Sequence, residues 1–262
     1  MGTTVRDLAR FKKDAKRFVM LTAYDFPTAQ ILDEAGVPVL LVGDSLAQVI
    51  LGYDTTLPVT MEEMLHHARA VARGARSALI VGDMPFGSYQ ISIEEGLRNA
   101  TRFLKEGNVH AVKVEGPQFE LTRALVDRGI PVMAHLGLTP QSVHAMGGYR
   151  VQAKTEESAH RLLDEAESLQ KSGAFSLVLE GIPTSVAEQV TKALDIPTVG
   201  IGAGPHCDAQ VLVITDLLGM GSGKYPKFVK PYANMRETIV DAVGRFSADV
   251  ERGVFPDEEH SY

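Results

Sequence analysis

Cysteine is almost absent from the chain: Cys207 is the only one among 262 residues. One thiol can form neither an internal disulfide nor a multi-thiolate metal site, so the sequence reads as that of a reduced, cytoplasmic protein. Basic residues are outnumbered, 26 Lys and Arg against 33 Asp and Glu, for a formal net charge of −7. That balance argues against broad contact with nucleic acid or an anionic membrane, both of which need basic surface. No run of about 18 apolar residues occurs, so no membrane span is expected. The opening segment, MGTTVRDLARFKKDAKRF, has no long apolar core before a cleavage site and does not read as a signal peptide. Zinc signatures are missing too. There is no HExxH or paired Cys/His spacing, and the rings of His66 and His67 would point about 100° apart on a helix.

The chain does have length and apolar content, with 45% hydrophobic residues. Its size matches one α/β barrel of about 250 residues. Eight short runs rich in Val, Ile and Leu occupy 18–22, 38–43, 78–82, 111–114, 131–135, 175–179, 197–201 and 210–215. Such runs fit strands covered on both faces, as in a parallel sheet. Helical segments lie between them. Thr60, Ser92 and Thr155 each precede acidic residues and read as N-caps; Gly116-Pro117 and Thr184-Ser185 start further helices, and 231–250 forms a last long one. The alternation predicts right-handed crossovers and, with eight strands, a closed (β/α)8 TIM barrel. An open doubly wound sheet is the alternative, because a strand count does not establish closure. The expected organisation is a single barrel domain over 1–262, with a short N-terminal helix and a frayed acidic tail from Gly253 to Tyr262.

The informative positions are those that end the strands. The second run ends in Gly43-Asp44-Ser45, the third in Gly82-Asp83, the fourth in Lys113-Val114-Glu115, the fifth in His135 and the sixth in Glu180. In a barrel these ends form the face that carries the active site. Any one of the acids taken alone could be a helix cap. Together Asp44, Asp83 and Glu115 repel one another and need an offsetting cation. A hard divalent ion with oxygen ligands, most simply Mg2+, suits three carboxylates without cysteine. Lys113 and Glu115 are two apart on a strand and share a side. They form either an anion-binding pair beside a metal or a buried ion pair. His135 is open to three readings: it orients a ligand, acts as an acid, or is a satisfied core histidine. Glu180, on a separate strand, is the candidate general base.

Two glycine-rich stretches add little. Gly200 to Gly204 follows the seventh run, where barrels often bind anions, but lacks the dinucleotide fingerprint. Gly219 to Lys224 resembles a P-loop superficially, with Leu218 in place of the first glycine and Tyr225 in place of the Ser/Thr.

The ordered series Leu21-Thr22-Ala23-Tyr24-Asp25, Val42-Gly43-Asp44-Ser45, Asp83 to Tyr89, Val112 to Gly116, His135 to Ser142, Gly147 to Gln152, Leu177 to Glu180, Gly200 to Gly204 and Pro226-Lys227-Phe228 resembles the ketopantoate hydroxymethyltransferase family over residues 3 to 255. The resemblance implies a barrel of the phosphoenolpyruvate/pyruvate type and transfer of a one-carbon unit from 5,10-methylenetetrahydrofolate to 3-methyl-2-oxobutanoate. The product is 2-dehydropantoate, on the way to pantothenate and coenzyme A, reached through a Mg2+-stabilised enolate. By the same resemblance, Asp44, Asp83 and Glu115 take the metal and Asp44, Ser45, Asp83 and Lys113 contact the oxoacid. Glu180 takes the catalytic base position, and His135 stays a candidate supporting residue with its three readings open. A cytoplasmic homodecamer acting on small molecules is implied, with no nucleic-acid or membrane partner. Departures from the family pattern fall at Gly87, at Gly181-Ile182 and at Pro205-His206-Cys207. Other readings keep the barrel and change the activity. One is a Mg2+-dependent 2-oxoacid lyase or mutase, which lacks support from any KKCGH-like loop; the other is a non-catalytic oxoacid binder.

Overall fold

Eight short parallel strands follow one another in chain order around a closed barrel. They are β1 (Phe18–Thr22), β2 (Val39–Val42), β3 (Leu79–Asp83), β4 (Ala111–Glu115), β5 (Val132–Gly137), β6 (Ser176–Glu180), β7 (Thr198–Ile201) and β8 (Ala209–Leu212). Pairing of β1 with β8, Phe18 to Leu21 against Ala209 to Leu212, closes the ring and excludes the open sheet. This computed structural model describes residues 2–262. The chain divides into two compact units, Met1–Val213 and Ile214–Tyr262.

In the first unit, helices α1 (Val5–Lys13), α2 (Phe26–Glu34), α3 (Leu46–Val49), α4 (Met61–Gly74), α5 (Ile93–Lys105), α6 (Phe119–Val126), α7 (Glu156–Lys171) and α8 (Thr184–Ala193) precede or connect the strands. The expected caps are made. Thr60 accepts the Glu63 N–H while the Glu63 carboxylate accepts the Thr60 N–H, a reciprocal pair that satisfies two orphan donors. Ser92 and Thr155 cap α5 and α7 likewise through the N–H groups of Glu95 and Ser158. α6 starts at Phe119 rather than at Gly116-Pro117, because Gly116 takes a left-handed turn (φ 83) that a helix cannot contain. The eighth strand ends at Leu212, earlier than its apolar run suggests, and Ile214 begins a helix.

Strand parity sorts the core. Phe18, Met20, Val39, Leu41, Leu79, Val81, Ala111, Met133, Val178, Val199, Ala209 and Val211 form one buried cluster, with Leu8 of α1 packed into it. These residues alternate along their strands and fill the barrel interior. The opposite strand faces of β5 and β6 pack on α7 and α8 through Ala134, Leu136, Leu177, Leu179, Leu162, Ala166, Val186 and Val190. Continuing the interior parity toward the C-terminal ends of the strands leads from Val81 to Asp83, from Ala111 to Lys113 and Glu115, from Met133 to His135, and from Val178 to Glu180. The same register that fills the barrel with aliphatic side chains therefore aims five ionisable groups into its mouth.

The second unit comprises α9 (Ile214–Leu217) and α10 (Met235–Glu251). α10 begins four residues later than position 231, where Asn234 accepts the Glu237 N–H. The acidic tail holds one 3-10 turn, Glu258–His260, capped by Asp257. Among the described residues, no helix is long and apolar enough to cross a membrane.

Candidate active site

The residues singled out at the strand ends meet in one place. The Lys113 ammonium donates to both oxygens of Asp83 at 2.7 Å and lies 3.5 Å from Glu115 Oε1. The Asp44 backbone N–H donates to Asp83 Oδ2 at 3.3 Å. His135 bridges the two halves of the mouth, with Nδ1 3.4 Å from Glu115 Oε1 and Nε2 3.3 Å from Glu180 Oε2. Both contacts are long, and neither nitrogen makes a well-directed hydrogen bond, so the hold on the ring is mainly electrostatic. Ser45, next to Asp44, shares a 2.9 Å hydrogen bond with the Tyr24 hydroxyl. Asp44, Asp83, Lys113, Glu115 and His135 are all buried. The Glu180 side chain keeps 18% of its surface exposed, which makes it the carboxylate most open to an incoming molecule.

Burial and the like charges of Asp83 and Glu115 hold the Asp44 carboxyl well above the usual carboxylate range. Burial likewise raises Asp83 against the pull of Lys113. Burial also pushes on Glu115, but Lys113 and His135 outweigh it, and that carboxyl lies below its ordinary value. Burial and the Lys113 charge oppose protonation of His135. The Glu115 and Glu180 carboxylates overcome both and push the imidazole up to about 9. Lys113 is raised despite burial, because three carboxylates surround it.

Three buried carboxylates thus face one ammonium and one imidazolium, leaving the cluster short of positive charge. The shortage falls on Asp44, whose Oδ2 receives only the neutral Gln141 amide, at 3.0 Å. Asp44, Asp83 and Glu115 each offer an oxygen within 4.8 Å of the others. An all-oxygen set of this kind fits a hard divalent cation and would supply the charge that is missing.

Three further polar residues, not among those expected from the sequence, complete this site. Gln141 and Tyr89 stand inside the quoted motifs without an assigned role, and both are buried against the carboxylates. Tyr24 holds Ser45. Their signal was present only as a Tyr or Gln shortly after a strand end, which is indistinguishable from ordinary loop polarity. The departures from the family pattern supply none of the three clustered carboxylates. Gly87 has open space around it, and Cys207 is buried against Gly200. Gly181 takes a left-handed conformation (φ 56) directly after Glu180.

A parallel eight-stranded barrel with acidic groups at the C-terminal ends of its strands belongs to a recognisable class. Phosphonopyruvate hydrolase superposes with a TM-score of 0.61 at 13% identity, covering 98% of this chain and 89% of that one. The 2,3-dimethylmalate lyase, described as a member of the PEP mutase/isocitrate lyase superfamily, superposes with a TM-score of 0.60 at 17% identity, covering 100% and 93%. The fold shared with these enzymes is the closed parallel eight-stranded barrel with helices between its strands.

Sequence narrows the class further. The family described as ketopantoate hydroxymethyltransferase matches residues 2–258. The 3-methyl-2-oxobutanoate hydroxymethyltransferase of Syntrophotalea carbinolica is 53% identical over 99% of this chain and 98% of its own length. Those of Geobacter metallireducens and Thermoanaerobacter pseudethanolicus are each 51% identical, covering 99% and 97% of this chain, and 98% and 94% of their own. The chain belongs to the ketopantoate hydroxymethyltransferase family and is an enzyme, a transferase.

Proposed function

We propose that this enzyme transfers the one-carbon unit of 5,10-methylenetetrahydrofolate to C3 of 3-methyl-2-oxobutanoate, giving 2-dehydropantoate for pantothenate and coenzyme A synthesis. The observation that carries this reading is the convergence of Asp44, Asp83 and Glu115 beside Lys113, with the Glu180 carboxylate across the mouth. A divalent cation held by the three carboxylates, in our reading Mg2+, would draw electron density from the keto group of the oxoacid and acidify the adjacent C3–H. The remaining steps use the chain's own groups. Lys113 and the Ser45 hydroxyl hold the substrate carboxylate, with Tyr24 fixing the serine rotamer. Glu180 takes the C3 proton. His135 sits between Glu180 and Glu115 and fixes the base relative to the carboxylates. C3 then bonds to the methylene carbon of the folate as its bond to N10 breaks. Water replaces the remaining bond to N5 and supplies the hydroxyl oxygen, and the C3 proton and one water proton end on the two nitrogens of the departing tetrahydrofolate.

The supporting relatives carry this substrate in their names at 51–53% identity. A phosphonopyruvate hydrolase of the same barrel type was solved with oxalate and Mg2+, at 14% identity. We also assign a cytoplasmic location and a decameric assembly, from the family resemblance. The test is product formation from 3-methyl-2-oxobutanoate and methylenetetrahydrofolate, with and without Mg2+. Folate- and cation-dependent 2-dehydropantoate supports the reading. Folate-independent cleavage of a 2-oxoacid would instead make the enzyme a lyase. Binding of the oxoacid without any turnover would make the barrel a sensor.

A further inference from the structure

We propose that Gln141 is a positioning residue of the cation site, setting the orientation of the Asp44 and Glu115 carboxylates from a single side chain and its own backbone. Gln141 lies in the 3-10 turn Pro140–Ser142 that follows β5 and is 4% exposed. Its backbone N–H, one of the first-turn donors that a helix leaves unpaired, donates to Glu115 Oε2 at 3.0 Å. Its side-chain Nε2 donates to Asp44 Oδ2 at 3.0 Å and to the Met84 carbonyl at 2.9 Å. Its Oε1 accepts from the Tyr89 hydroxyl at 2.7 Å and from Gln90 Nε2 at 3.0 Å.

Two donors and two acceptors exhaust what a carboxamide can do. The pattern admits only an amide in this orientation. Flipped, it would set NH2 against NH2 at Gln90 and oxygen against oxygen at Met84. A carboxylate, which has no donor, would set oxygen against oxygen at both Asp44 and the Met84 carbonyl. Tyr89 completes the frame, since the oxygen of the hydroxyl that holds Gln141 also accepts the Glu115 backbone N–H at 3.0 Å. Two of the three carboxylates are therefore pinned through one oxygen each, and pinning one oxygen of a planar group sets the plane and the direction of the other. For Glu115 that other oxygen faces Lys113 and His135. Outer partners of this kind hold ligands in the geometry that a cation needs before it arrives.

The inference rests on the reading of Asp44, Asp83 and Glu115 as a cation site. It is tested by titration calorimetry with Mg2+ and no substrate, alongside thermal unfolding in cation-free buffer. Gln141→Met keeps the side-chain length and the backbone bond to Glu115 but removes the carboxamide. Its Mg2+ affinity is expected to fall about 10–100-fold. Tyr89→Phe removes only the hydroxyl behind Gln141 and is expected to weaken binding about three- to tenfold. A residue that merely packed the loop would lower the unfolding midpoint and leave the affinity of the folded protein unchanged. Wild-type affinity in folded Gln141→Met would overturn the inference. If that variant does not fold, Tyr89→Phe decides, and wild-type affinity there overturns it. Wild-type protein that takes up no Mg2+ at all would refute the cation site itself and the inference with it, whereas wild-type uptake matched by Gln141→Met refutes only the positioning role.

Discussion

At the scale of single residues, the site is a problem of buried charge. Asp44, Asp83 and Glu115 are each at most 4% exposed, and only Lys113 and His135 oppose them. Asp83→Asn is the cleanest perturbation, because it removes a charge while leaving an oxygen for the buried Lys113, which Asp83→Ala would strand. Cation-dependent turnover should fall by more than the roughly 100-fold that losing an outer partner costs, with the fold retained. Unchanged cation dependence in steady-state kinetics would remove Asp83 from the site. The raised Asp44 carboxyl adds a sign that can be checked. Burial and its acidic neighbours make that carboxyl hold its proton to higher pH than usual, and wherever the proton is held Mg2+ must displace it. Affinity should therefore rise with pH, by up to about tenfold per unit, until Asp44 ionises in the cation-free protein. Calorimetry in two buffers of different ionisation heat should show proton release, and identical heats would contradict it. These residues were legible in the sequence because acids at the ends of apolar runs are unusual in number. Gln141 and Tyr89 were not, because their roles come from four-way hydrogen bonding that no spacing encodes.

At the scale of elements, two joints anchor strands that carry site residues, β5 and β3. Gly137 ends β5 at φ 93, opposite Glu180 in the β5–β6 register, and a Cβ there would strike the Glu180 carbonyl. Gly137→Ala should cost about 1–3 kcal/mol in strain and displace the base, lowering kcat more than substrate affinity. Denaturation and kinetics that match wild type would show that this contact does not matter. The second joint is Asp33, near the end of α2, which accepts the backbone N–H groups of Arg76, Ser77 and Ala78 at 2.7–3.0 Å. Partial burial pushes its carboxyl up, but the three donors outweigh that and hold it below its ordinary value. Its contribution is present above the unfolded value near 3.8 and is lost as pH falls toward the folded one. Asp33→Ala should destabilise by about 1–3 kcal/mol near neutral pH, by chemical denaturation, with the difference shrinking in acid. A deficit that persists undiminished through that range would contradict the charge-based account. Helices with a Thr or Ser cap before acids could be read directly. α2 was hidden, because its apolar residues do not share a face: Ala29 and Leu32 are buried while Phe26 and Ile31 are exposed. Its cap, Asp25, lies two residues before a proline.

At the scale of the whole molecule, eight apolar runs were enough to expect a barrel, but closure depends on β1 meeting β8 across the length of the first unit, which no local pattern carries. In the proposed cation site, the cost of gathering acids at one end would tie stability to the cation. At a Mg2+ concentration about 100 times its dissociation constant, linkage predicts about 2.7 kcal/mol of stabilisation and a rise in Tm of about 5–10 °C. Asp83→Asn should abolish most of that rise in scanning calorimetry. The proposed assembly predicts a particle of about ten times the 28.4 kDa chain by sedimentation. A monomer or dimer would contradict it. The central claim, that the carboxylate cluster and Glu180 together activate the C3–H of a 2-oxoacid, is tested most directly by exchange of that proton in D2O, followed by NMR with folate omitted. Wild-type enzyme with Mg2+ should exchange it; chelation should stop the exchange, and Glu180→Gln should slow it by at least about 100-fold, as expected for loss of a general base. Exchange that survives chelation, or that runs at the wild-type rate in Glu180→Gln, would contradict the account.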